Sequence, residues 1–248
     1  MSMASRIRKA VQYLVTLEVC SGHSFLPELV GPDTIVLDLG ANHGMFSREM
    51  TKRFGCRCHA VEPNPTLVAM IQQNETFPIF GVAASGTRDK VVFQIMESDQ
   101  ASGIHRFPGM ALLDQVEVEA YPYAEIVKHF GLERVDLLKI DIEGSEIALL
   151  DAMSDDEIKA ISQITIEFHD TIGIGTAADT QRMLDRLRKL GFVDIWPYPE
   201  RSLDVLFVNR ARHPWVWRRK LRFKIAGRPL LKIYWVLDGV FRDAGFLN

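Results

Sequence analysis

The stretch TIVLDLGANHG, Thr34 to Gly44, decides the fold. A short apolar run rich in β-branched residues stops at glycine, the pattern of a strand buried on both faces. Gly40 and Gly44 permit a tight turn, and a helix is expected from near Phe46 to Arg53. CRCHAVEPNP reads as a second strand ending at Glu62, with Pro65 in the first turn of a helix through Gln73, and FPIFGVAAS as a third strand. Repeated alternation of strand and helix means a parallel sheet covered on both faces.

Further along, KVVFQIM and VEVEAY alternate with period two between Lys90 and Tyr121, the sign of an inserted strand pair. A helix over Pro122 to Phe130 precedes DLLKIDIEGSEIALL (Asp136 to Leu150), a strand running into a helix. QITIEFHD (Gln163 to Asp170) is the next strand, and TAADTQRMLDRLRKLG a helix stopped by Gly191. FVDIWPYP and LDVLFVN close the domain as an antiparallel pair.

With 248 residues and 47% apolar content, the chain has ample material for one large α/β core, which excludes a disordered or fibrous protein. The three cysteines show no C-x-x-C spacing and give neither a disulfide framework nor a zinc cluster. Cys56 and Cys58 are expected as buried small hydrophobes on one strand face. The opening MSMASRIRKAVQYLVTLEVCSG starts like a basic targeting segment, but Gln12 and Glu18 break its apolar run. It is read as a short amphipathic helix within an N-terminal extension, residues 1–32, ahead of a main domain over residues 33–210. Nothing approaches the roughly 18 uncharged apolar residues that span a bilayer, so a cytoplasmic location is expected.

Charge sets the remainder apart. Residues 211–248 carry nine Lys and Arg against two acids, whereas residues 1–210 carry 20 against 30. Bases interleaved with Trp, Phe and Leu read either as a solvated extension folding over the acidic body or as peripheral contact with the inner face of an anionic membrane, ahead of an anionic glycan or nucleic acid. Leu221, Phe223 and Ile225 alternate with Arg222 and Lys224 as in a strand.

In open parallel sheets ligands bind outside the carboxyl ends of the strands, so chemistry is sought there. Asp38, Gly40 and Gly44 surround the first turn, and Glu62 ends the second strand, where a carboxylate can accept bonds from both ribose hydroxyls. A nicotinamide-binding turn needs three glycines, but Asn42 stands at the second glycine position. Asp38 would also repel a pyrophosphate, and better suits the ammonium and sulfonium of S-adenosylmethionine.

VLDLGANHGMFS, VEPNP followed by QQN, GVAAS before a strand pair, and DLLKIDIEGSE together resemble the FkbM-type S-adenosylmethionine-dependent methyltransferases. The resemblance covers Thr34 to Asp170. It implies a three-layer Rossmann-like fold: a seven-stranded, mostly parallel sheet with an antiparallel last strand and an inserted strand pair. It also implies Asp38, Gly40, Ala41, Asn42, Gly44 and Phe46 around the cofactor's methionine end, Glu62 with Pro63 and Asn64 at its ribose, and Ala83 and Ala84 among its contacts. His43 departs from the family pattern. The acceptor implied is a hydroxyl of a sugar, glycan or glycolipid, with a polyketide or similar metabolite as the alternative. A nicotinamide oxidoreductase and a non-catalytic binding module are the rival classes.

Strand alternation puts Lys139, Asp141 and Glu143 on one side, and Glu167 and His169 likewise. Lys139 and Glu167 are expected to pair at one depth. His169 is the expected catalytic base because imidazole titrates nearest neutral pH, with Asp141 as alternative base or cofactor ligand and Glu143 positioning the acceptor. A divalent metal, if bound, would fall to Asp141, Glu143, and His169 or Asp170. Ser145 and Glu146 read as a helix start.

Overall fold

The structure is a computed structural model that describes residues 17–98, 102–105, 109–170, 175–195 and 204–222. Its main sheet contains β3 (Ile35–Leu39), β4 (Arg57–Val61), β5 (Ile79–Phe80), β9 (Leu137–Ile140), β10 (Gln163–Glu167), β11 (Phe192–Ile195) and β12 (Asp204–Asn209). The order is β11-β12-β10-β9-β3-β4-β5, parallel throughout except β12, which runs against both neighbours. This is the expected seven-stranded sheet with its last strand reversed.

Alternation along the central strands divides the core. Leu37, Leu39, Leu138 and Ile140 pack with α3 (Tyr123–His129), α4 (Glu146–Ala152), α5 (Asp155–Ala160) and α6 (Ala177–Lys189). Val36, Ala60 and Leu137 pack on the opposite face with Phe46 and Met50 of α1 (Met45–Phe54) and Ile71 of α2 (Pro65–Asn74). Cys56 and Cys58 are buried there as expected. The short helix α5 was not legible beforehand, although Ser154 and Glu157 form a reciprocal capping box at its start.

Two expectations are corrected. FPIFGVAAS is not one strand: the chain leaves the main sheet after Phe80 and enters a second sheet at β6 (Ala83–Ala84), with Gly81 at the switch. That second sheet, β6-β8-β7, is the inserted pair β7 (Asp89–Met96) and β8 (Leu112–Tyr121) with β6 at its edge.

The second correction concerns the N-terminal extension. Residues 1–16 lie outside the described residues, but β1 (Glu18–Cys20) and β2 (His23–Phe25) form an antiparallel hairpin, not a helix. The cause is local: Ser21 and Gly22 both take positive φ, 47° and 89°, the conformation of a tight two-residue hairpin turn. The hairpin docks on β10 and β12, where the Gln163 side chain accepts from the Leu26 N–H at 2.7 Å and Asp204 accepts from Ser24 and Thr165 hydroxyls at 2.9 and 2.8 Å. Polar side chains buried on that face are thereby hydrogen-bonded, which removes the cost of leaving them dry and unpaired.

At the other end, Val216–Arg222 form α7, with Val216 buried against Leu206 and Val208. Phe223 and Ile225 lie outside the described residues. Among the described residues no helix is long and apolar enough to cross a membrane.

Candidate active site

The carboxyl ends of β3, β4, β9 and β10 open onto one cavity of about 690 Å³, a size typical of small-molecule sites. Gly40, Ala41, Asn42 and Phe46 line one part of it, Glu62, Pro63, Ala83 and Ala84 another. Asp141, Glu143 and His169 line it as expected, together with Lys139 and Glu167. Asp38, Gly44 and Asn64 stand behind this lining. Asp38 is sealed under the turn, Gly44 packs against Ile71 and Phe77, and Asn64 caps α2 by accepting from the Thr66 N–H at 3.0 Å. Asp170 belongs neither to the lining nor to the acid cluster. His43 lines the rim, exposed.

Glu62 is held with acceptor capacity to spare. Its two oxygens accept from the backbone N–H groups of Asn42 and Asn64 at 2.8 and 2.9 Å, which fixes the carboxylate while leaving lone pairs for two more donors. Asn42 supplies its N–H from a left-handed conformation, φ 50°, which asparagine tolerates better than most residues. Burial pushes the Glu62 carboxyl up to about 7 against the opposing effect of those amides.

Lys139 does not pair with Glu167. Register places Thr165, not Glu167, beside Lys139 on β10, and Asp38 beside it on β3. The ammonium lies 3.3 Å from Asp38 Oδ1 and 3.3 Å from Asp141 Oδ2, and donates to the carbonyls of Leu39 and Gly40. Ser47 of α1 donates to the other Asp38 oxygen at 2.7 Å. Burial opposes the charge on Lys139, but the two carboxylates hold its pKa above the usual lysine value.

Asp141 is a hub. Besides Lys139 it meets His23 Nε2 at 3.3 Å, while His23 Nδ1 lies 3.5 Å from Asp204. Burial would raise the Asp141 carboxyl, yet Lys139 and then His23 drive it well below the usual carboxylate range. Burial likewise disfavours the His23 imidazolium, but Asp141 and Asp204 raise its pKa to about 9. His23 went unnoticed in the sequence, since nothing local connects it with an aspartate 118 positions away.

His169 reaches the expected place in an unexpected state. Its Nε2 lies 3.0 Å from Glu143 and its Nδ1 3.0 Å from Glu146. Burial opposes ionisation, but those two carboxylates lift the pKa to about 11, which favours the imidazolium. Glu146 is more than a helix start: it also accepts from the Ile142 and Gly144 N–H groups at 3.1 and 3.0 Å, folding the loop beneath His169. Glu143 sits in that loop with φ 52°, and a side chain at Gly103 would meet its Cβ at 2.9 Å, so the β7–β8 insertion passes close above it.

Oxygen and nitrogen atoms of Asp141, Glu143 and His169 lie within 4.8 Å of one another. The ring nitrogens already face carboxylates, and a cation there would have to displace the imidazolium proton. A cationic organic group fits better. Around the cavity and its floor, seven carboxyl side chains (Asp38, Glu62, Asp141, Glu143, Glu146, Glu167, Asp204) gather with three cations, Lys139, His23 and His169. Such an excess of acid attracts positive charge. Glu62 adds free acceptor capacity at the other end of the same cavity.

Residues 38–193 match the Methyltransferase FkbM domain. The AMB antimetabolite synthetase AmbE of Pseudomonas aeruginosa is 29% identical over 202 residues, 65% of this chain, which spans only 10% of that protein. The 31-O-demethyl-FK506 methyltransferase FkbM of Streptomyces tacrolimicus is 24% identical over 188 residues, covering 57% of this chain and 68% of that one. Among solved structures, Aeropyrum pernix fibrillarin with natively bound S-adenosyl-L-methionine aligns at TM-score 0.41 and 15% identity over 82% of this chain and 74% of its own. With the matched domain spanning the Gly40 turn, β4 and the acid loop, the chain belongs to the FkbM family of S-adenosylmethionine-dependent methyltransferases.

Proposed function

We propose that this methyltransferase acts on oxygen, transferring the methyl group of S-adenosylmethionine to a hydroxyl of a sugar, glycan or glycolipid without a divalent metal. The observation that carries the reading is the single cavity joining Glu62, with hydrogen-bond capacity for a ribose, to the acid-rich ends of β9 and β10. The bound cofactor supplies an activated methyl on a positive sulfur. The chain's own residues bind and orient: Glu62 would take the ribose hydroxyls, the Gly40 turn permits close backbone approach, and Asp141 offers negative charge held in place by Lys139 and His23.

The relative named for a 31-O-demethyl substrate supports oxygen as the acceptor atom. Family membership removes the nicotinamide alternative. A secondary-metabolite acceptor stays open as the second reading because the insertion lends the cavity an apolar wall of Phe93, Ile104 and Met110.

Calorimetry tests the cofactor half: S-adenosylhomocysteine should bind and NAD should not, and Glu62→Ala should weaken the nucleoside about tenfold, roughly 1.4 kcal/mol. Labelled methyl transfer to a panel of glycosides and aliphatic alcohols, with and without chelator, tests the rest. Binding without transfer to any hydroxyl would favour a binding module, and loss of transfer on chelation would restore a metal.

We also propose that α7 meets an anionic bilayer. Trp217 and Leu221, one turn apart, are exposed, and the Arg218 guanidinium lies 5.6 Å from the Trp217 ring centroid. Flotation with phosphatidylglycerol vesicles should carry the full chain upward, and Trp217→Ala with Leu221→Ala should leave most of it behind. Equal flotation of both would rule this contact out.

A further inference from the structure

We propose that Glu167 is the base that accepts the proton of the acceptor hydroxyl. The assignment rests on the oxygen-directed reading above and gives it a catalytic residue.

Every other carboxylate of the cavity and its floor is engaged. Asp38 holds Lys139 and Ser47, and Asp141 holds Lys139 and His23. Glu143 faces His169, Glu146 binds two loop amides and His169, and Glu62 binds two amides. Glu167 differs. It ends β10 and lines the cavity, and among the described residues no hydrogen bond or ion pair reaches its carboxylate. One of its oxygens lies within 4.8 Å of Asp141 and His23 atoms. A partly buried carboxylate without a partner is costly to the fold, and such groups persist where a ligand supplies the missing donor.

Position agrees with this role. Glu62 follows β4 and Glu167 ends β10, three strand steps along the sheet, or about 14 Å. A ligand with its ribose at Glu62 runs over the ends of β3 and β9 toward Glu167. Glu167 is half-buried at the end of β10 and lines the cavity, so a hydroxyl entering there meets an acceptor that no donor among the described residues occupies. In the step itself the hydroxyl oxygen bonds to the methyl carbon as the carbon–sulfur bond breaks, with that electron pair staying on sulfur. The hydroxyl proton passes to a Glu167 oxygen and is later released to water. Both ring nitrogens of His169 already face carboxylates, Glu143 and Glu146, which leaves Glu167 as the side chain open to that proton.

The first arm of the test needs no known acceptor. Sinefungin carries an ammonium where S-adenosylmethionine carries its transferable methyl, whereas S-adenosylhomocysteine carries nothing there. In Glu167→Gln, calorimetry should show S-adenosylhomocysteine affinity within twofold of the parent and sinefungin affinity reduced at least fivefold. Thermal unfolding at pH 8 should show a variant at least as stable as the parent, a result that a structural ion-pair role would not give. In the transfer assay described above, kcat should fall at least a hundredfold with KM for the cofactor unchanged. A sinefungin to S-adenosylhomocysteine ratio equal to the parent's, or parental kcat, overturns the assignment. Failure of the parent to bind either nucleoside is a different result: it removes the methyltransferase reading first, and this proposal with it.

Discussion

Lys139→Met is expected to lower the stability of the protein by about 3–5 kcal/mol, the usual cost of removing one partner from a buried ion pair. The methionine keeps most of the stem's packing, so the loss reports the charge. Asp38 is 0% exposed and would retain only the Ser47 hydroxyl, while Asp141 would retain His23. A urea titration measures this as a lower midpoint at unchanged slope. A midpoint within about 0.5 kcal/mol of the parent would show that the ammonium is not what holds these acids. Asp38→Asn should be destabilising through the same network.

Gly40→Ala is the second large effect. Gly40 has φ 79°, and a Cβ there would stand 1.8 Å from the Asp141 carbonyl oxygen and 2.8 Å from its carbon. Backbone cannot swing aside as a side chain can, because the Asp141 N–H donates to the Leu39 carbonyl at 3.1 Å and the Gly40 N–H to Val61 at 3.0 Å. Relief must therefore part β3 from β9, displacing Asn42 and Asp141 together. Affinity for S-adenosylhomocysteine should fall by more than about a hundredfold, or 2.7 kcal/mol, on top of about 1–2 kcal/mol for the left-handed backbone. Gly44→Ala is the control. Its Cβ would meet only side-chain atoms of Ile71 and Phe77 at 3.3 Å, so retained binding in Gly40→Ala, or equal loss in both, would count against the collision.

The sheet and most elements were readable because their signals are local. Glycine at the strand end, proline at the start of α2 and period-two alternation in the insertion each act within a few residues. Cavity residues such as Gly40, Glu62, Asp141 and His169 followed from one rule, that chemistry gathers at strand ends. Partnerships were harder. Alternation told which side Lys139 and Glu167 occupy but not their depth, and a register offset of two residues gave Lys139 to Asp38 and Asp141 and left Glu167 without it. Protonation was harder still, since the charge on His169 depends on Glu143 and Glu146 closing around both ring nitrogens. The Ser21–Gly22 turn was a legible signal, overridden by the basic, apolar character of the residues before it.

The family domain begins at residue 38, yet His23, Ser24 and Leu26 lie ahead of it and complete the floor beneath Asp141, Asp204 and Gln163. The activity is therefore not portable as a cassette cut at residues 38–193. Transplanted into another chain, that segment carries its turn and its acid loop but arrives without the imidazolium of His23 and without β12, which pairs with β10 and carries Asp204. A host that accepts the graft must supply both, or the hairpin and β12 must travel with it.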